Sequence, residues 1–283
     1  MTGRLAAARR RWPLLDLVVE LVQKGGRDGA GRLAALIAYF SFFSVFPLLL
    51  VLVSVLGLLL DSSAQDAIID SALANFPVIG TDIANNVGAI QGSGWAFAIG
   101  LLTAMWAGTH ALEALEHAMH VVWNGADARL PNMLRRRLRA LMLVGVLGAA
   151  LLATTALGVV AGSLAGLPFV ARPIGLLLSV ALNAAVMVLV FQVSIQERQP
   201  WRALLPGGIL AGFGLTALNA LGGVYVRVVV QGASDTYGVF AVVIGMLSWL
   251  QLIASVVIWS AELNSVLASR AALRRPSARP VGA

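Results

Sequence analysis

Across its 283 residues the chain has no cysteine, a single lysine and few charged side chains of either sign. The absence of cysteine removes disulfides, thiolate metal sites and a cysteine nucleophile together. The lone lysine, Lys24, is followed by glycine, so no Walker-type phosphate loop can be written and ATP hydrolysis by that route is excluded. The Gly-x-Ser-x-Gly elbow of serine hydrolases is missing, as are the His-Glu-x-x-His order of zinc proteases and its inverse. Only 12% of residues are charged while 59% are hydrophobic, and the mean hydropathy is +0.87. A chain of this size cannot cover that much apolar side chain with its own polar surface. It needs lipid as solvent.

What is present are six long apolar runs: Leu33 to Leu60, Trp95 to Val122, Leu138 to Gly166, Ile174 to Ile195, Ala203 to about Val226, and Tyr237 to about Leu267. Each approaches or exceeds the roughly 20 residues that cross a hydrocarbon core of about 30 Å. The reading is an all-α, six-span transmembrane bundle over residues 33–268, preceded by a cytoplasmic segment, 1–32, and followed by a disordered basic tail, 269–283. An even number of spans puts both termini on one side. The cations say which side. Eighteen of the twenty Lys and Arg residues fall in the N-terminal segment, the second and fourth connections and the tail, leaving Arg172 and Arg227 for the other three connections. That bias places both ends in the cytoplasm. The outer connections instead carry Asp61, Asp66, Asp70, Asp82 and Asp235.

The isoelectric point of about 11.1 is satisfied by topology and by attraction to anionic lipid. No soluble domain with interleaved aromatics exists to stack bases, so membrane lipids are the expected partners and nucleic acid is not. From Pro13 the apolar residues Leu14, Leu15, Val18, Leu21 and Val22 oppose Asp16, Glu20, Gln23 and Arg27, the period of an amphipathic helix expected to lie along the inner membrane surface. Gly25, Gly26, Gly29 and Gly31 are expected to loosen the chain after it. Between spans one and two, the segment from Asp61 to Gly94 reads as a short amphipathic helical hairpin on the outer face.

Helix packing in lipid depends on close backbone approach. Gly158, Gly162 and Gly166 in the third span, and Gly208 and Gly212 in the fifth, recur at four-residue steps and so share a face. These faces suit helix contacts inside one bundle, with a homo-oligomer seam or a lipid-fitting groove as alternatives. Pro47 should kink the first span, with Ser41 or Ser44 able to meet the backbone groups it frees.

The polar candidates within the spans are few. All three histidines lie within eleven residues, and His110, Glu113 and His117 fall on one helical stripe beside Glu116 and His120. Two readings stand: local pairs along an amphipathic continuation, with Glu116, His117 and His120 already at the inner head groups, or a proton- or substrate-handling site on His110 and Glu113. Late in the sixth span Glu262, followed by Asn264, needs a partner or water, because a lone carboxylate at mid-membrane costs about 2.5 to 3.5 kcal/mol on insertion scales. Arg135, Arg136, Arg137 and Arg139 on the inner side could hold lipid phosphates. The residues point to no metal and no cofactor.

Ala38-Tyr39-Phe40 followed by Ser44-Val45-Phe46-Pro47-Leu48, the basic run Arg135 to Arg139 after Trp123-Asn124-Gly125, Tyr237-Gly238 opening the sixth span and Ala261-Glu262-Leu263-Asn264 closing it resemble the YihY/BrkB family of bacterial inner-membrane proteins, in the same order and spacing. The likeness runs from about Leu33 to Leu267. It implies a six-helix fold and a role in the cell envelope, with members linked to serum resistance and to export of lipopolysaccharide precursors. The ribonuclease label once attached to the family is not supported by these residues, which offer no soluble His/Asp cluster to activate water on a phosphodiester. The three histidines are a local departure from the family pattern. The expectation is a non-enzymatic protein that assists movement of a lipid or lipid-linked envelope component; the alternatives are a proton-coupled or gradient-driven small-solute transporter and a non-transporting scaffold.

Overall fold

The computed structural model describes residues 13–59, 94–125, 168–195, 199–232 and 239–273, with single helical positions at 139, 142, 143 and 146. No strand occurs among them. Six α-helices are defined: α1 Pro13–Asp28, α2 Ala30–Leu59, α3 Gly94–Asn124, α4 Pro168–Ser194, α5 Trp201–Tyr225 and α6 Val239–Leu273. A π-helical stretch, Val226–Gln231, continues α5. The outer hairpin expected between Asp61 and Gly94, most of the third span with Gly158, Gly162 and Gly166, Arg135 to Arg137, and Asp235 lie outside the described residues.

The apolar runs form these helices for the expected reason, with boundaries that differ where proline or pairing intervenes. α4 begins at Pro168, ahead of the run that opens at Ile174, because proline suits a first helical turn, and it passes through Pro173 without ending. α2 likewise continues through position 47, and the Ser44 hydroxyl donates to the Ser41 carbonyl at 2.8 Å. α6 runs on to Leu273, so the first residues assigned to a disordered tail are helical, held there by Arg270.

Among the described residues three helical stretches are long and apolar enough to cross a membrane: Pro173–Ser194, Trp201–Val229 and Phe240–Leu273. Their outer surfaces carry Leu177, Phe213 and Phe240 at 69%, 66% and 72% exposure, an array of large apolar side chains that water would not tolerate and lipid would. The chain is an integral membrane protein. α6 is its axis: 44% of its apolar window is buried, against 17% for α4 and 22% for α5, and it touches α1, α2, α3 and α5.

The main core gathers the start of α2 (Ala30, Leu33, Ala34), the end of α3 (Met119, Val122), the end of α4 (Val190, Phe191), the start of α5 (Leu204, Ala211) and the late part of α6 (Ala254, Ile258, Ala261). Helices α2 and α3 therefore run antiparallel, as do α4 and α5. The small residues of α5 serve two neighbours. A Cβ at Gly212 would sit 2.6 Å from the Val180 carbonyl oxygen of α4, and one at Gly208 would sit 2.4 Å from the Val188 side chain. Gly207 and Gly214 face α6, where a Cβ would meet the Ser260 carbonyl oxygen at 2.2 Å and Val256 at 2.7 Å. The Gly208 and Gly212 face is thus packed against α4.

The glycines around α1 do not loosen the chain. Gly25 and Gly26 lie inside α1 and Gly31 inside α2. Gly25 lets the Trp259 ring approach so closely that a Cβ would lie 2.6 Å from it. Gly29 alone breaks the helix, at φ +71°, a left-handed position that closes a helix at little cost only for glycine. Its carbonyl then accepts from Arg32 N and Leu33 N, starting α2 at once.

Candidate functional site

Of the candidates read from the sequence, Glu262 lies where α1, α3 and α6 meet. α3 ends at Asn124, with Gly125 at φ +83°. The last carbonyls of a helix lack intrahelical donors and carry the negative end of its dipole. One of them, the Val122 carbonyl, accepts from Lys24 Nζ at 2.8 Å and from Ser265 Oγ at 3.0 Å. The same ammonium donates to Glu262 Oε2 and to Asp28 Oδ2, each at 2.6 Å. Three donors thus meet three acceptors on three elements. Lys24 and Asp28 are mostly buried, and Glu262 is fully so.

The cluster holds two carboxylates to one ammonium, and Glu262 Oε1 is buried with no hydrogen-bond partner among the described residues. Burying an ion pair is costly, and the Coulombic gain repays it only when each charge is well satisfied. Lys24 is; Glu262 is half satisfied. Eight residues on, Arg270 Nε donates to Glu20 Oε2 at 2.6 Å and its Nη2 to Asp16 Oδ2 at 2.7 Å. The charged face of α1 is therefore docked along α6, so α1 is fastened to the bundle by its polar side.

Asn264, two residues beyond Glu262, is fully buried and points into α5. Its Oδ1 accepts from Gly207 N at 2.7 Å and its Nδ2 donates to the Leu204 carbonyl at 3.1 Å. Both contacts flank Pro206 in the first turns of α5. Its amide is spent on the backbone of α5.

The histidine candidates and their glutamates lie along the one helix α3. His110 is half-buried, its Nδ1 2.7 Å from the Trp106 carbonyl oxygen and its ring against Trp106 and Phe40. Glu113 and His117 are half-buried. Glu116 and His120 are buried, because α1 and α6 cover the end of α3. His120 Nδ1 lies 3.1 Å from Asn124 Nδ2. Among the described residues no three His, Asp or Glu side chains are placed to share a metal ion. Of the basic candidates only Arg139 is described, half-buried.

Sequence reasoning required a partner for Glu262 and missed Lys24. A signal was present: this is the one lysine among twenty basic residues, and an ammonium makes three donations from a point where a guanidinium is a planar fork.

The sequence profile described as Virulence factor BrkB matches residues 21–282. The chain belongs to this family. The BrkB match takes in Lys24, Asp28, Val122, Glu262 and Asn264, while Asp16 and Glu20 precede it. No curated protein and no solved structure matches the chain.

Proposed function

We propose that this BrkB-family protein assists the transport or translocation of a lipid or lipid-linked cell-envelope component in the inner membrane, with no covalent step and no ATP hydrolysis. In this reading the six spans leave both termini in the cytoplasm, and the basic connection that includes Arg139 faces the inner head groups. The observation that carries the reading is Glu262, a fully buried carboxylate on the central helix that is tied by Lys24 to a peripheral helix. An ionisable group in such a place is by default functional, since a scaffold could be held more cheaply by apolar contacts. The family description as a virulence factor suits a role in the envelope. The test is purified protein reconstituted in vesicles with fluorescent envelope-lipid analogues and a membrane-impermeant quencher. Wild type should accelerate transbilayer movement and Glu262→Gln should slow it. Rates equal to protein-free vesicles for every envelope lipid, with an unchanged lipid distribution in a deletion strain, would refute the reading.

A second reading, a proton-coupled small-solute transporter, is favoured by one feature: among the described residues Glu262 Oε1 is buried without a partner, in a cluster that has one more carboxylate than ammonium. A proton there would balance the charge. This reading places proton handling at Glu262, since His110 Nδ1 is engaged by the Trp106 carbonyl, and it predicts uptake into vesicles that follows an imposed pH gradient.

A further inference from the structure

The docking of α1 through its charged side leaves the other side unaccounted for. Leu14, Leu15, Val18 and Val22 recur at helical spacing on one stripe of α1 and are 73%, 49%, 53% and 57% exposed. Asp16, Glu20 and Lys24 are taken up by α6. We infer that this stripe is a lipid-contact surface and that α1 is seated in the boundary between head groups and acyl chains, with its acids turned towards the protein.

Three observations choose lipid as the occupant. The first is depth. α1 is joined to the apolar helix α2 by Gly29 alone, and it lies beside residues 259–270 of α6. At 1.5 Å per residue the 35 residues of α6 extend about 50 Å, beyond a hydrocarbon core of about 30 Å, so its last turns and the helix beside them reach the interface. The second is a marker at the same level. The start of α5 is held to Asn264, and there Trp201 is 54% exposed with the Arg202 guanidinium 5.4 Å from its ring centroid. Exposed Trp beside Arg is the usual signature of the membrane boundary. The third is charge. Exposed Arg27 and Arg32 flank the C-terminal end of α1, and Arg9, Arg10 and Arg11 precede it in sequence, a distribution suited to anionic head groups around an apolar stripe. The contact would hold whatever the protein transports.

Because the chain has no cysteine, single substitutions can be labelled cleanly in the full-length protein. Leu14→Cys, Val18→Cys and Val22→Cys would each carry an environment-sensitive fluorophore, with Gln23→Cys and Arg27→Cys on the polar side as comparisons. All would be placed in nanodiscs of phosphatidylethanolamine and phosphatidylglycerol, using only variants that keep the wild-type gel-filtration profile. The three stripe positions should show blue-shifted emission, quenching by nitroxides on the acyl chains and protection from iodide; positions 23 and 27 should show the reverse. Stripe labels open to iodide and untouched by acyl-chain nitroxides would overturn the inference. So would efficient Val18→Cys cross-linking between two copies, which would make the stripe a protein interface.

Discussion

Lys24 Nζ lies 2.6 Å from Glu262 Oε2, joining residues 238 positions apart and bringing a peripheral amphipathic helix onto the central helix of the bundle. The pair is not a surface ion pair of small value. Glu262 is wholly buried, and the ammonium has no spare donor, since Asp28 and the Val122 carbonyl take the other two.

The identity of the cation follows from that geometry. An arginine at this position keeps the charge but carries a planar, longer head that cannot aim one donor at each of three acceptors on different helices. Lys24→Arg should lower stability by roughly 1–3 kcal/mol, the cost of leaving a buried polar partner unsatisfied. A thermal melt of the detergent-solubilised protein measures it, and a melt equal to wild type would show that charge alone suffices.

Two helical glycines, Gly207 buried and Gly26 exposed, should respond oppositely to alanine. At Gly207 a Cβ would meet the Ser260 backbone oxygen at 2.2 Å, so one helix has to move. At Gly26 a Cβ would meet nothing within 4 Å. Gly207→Ala should cost about 1–3 kcal/mol or more through overpacking, whereas Gly26→Ala should be neutral or stabilising by up to about 1 kcal/mol. Gel-filtration recovery after heating separates the two.

Asn264 is predicted to be structural. Asn264→Leu removes the two hydrogen bonds that tie α6 to the Gly207 N–H and the Leu204 carbonyl of α5, at about 0.5–1.5 kcal/mol for each. The loss should appear in the melt and not in the transport rate per folded molecule. A variant of wild-type stability with selectively lost transport would instead make Asn264 part of the path.

Much of this architecture was legible because lipid imposes a length: an apolar run near 20 residues has little else to be. The period of α1 and the anomaly of Glu262 in an apolar run were legible for local reasons. Pairing was not. Nothing within several residues of Glu262 points to Lys24, and the four-residue step of Gly208 and Gly212 draws attention from Gly207, whose approach to Ser260 is closer. The histidines were legible only as a stripe on one helix, and the contacts they make there are local ones, His110 with Trp106 and His120 with Asn124, each one turn away on α3.

The most direct measurement is a double-mutant cycle on Lys24 and Glu262, read as unfolding free energy in detergent. Lys24→Met alone leaves Glu262 charged and buried without its cation and should cost about 3–5 kcal/mol. Adding Glu262→Leu removes the stranded charge, so the double variant should be more stable than Lys24→Met, with a coupling energy of roughly 1–3 kcal/mol. If the two substitutions simply add, the junction of α1 with α6 does not rest on this pair.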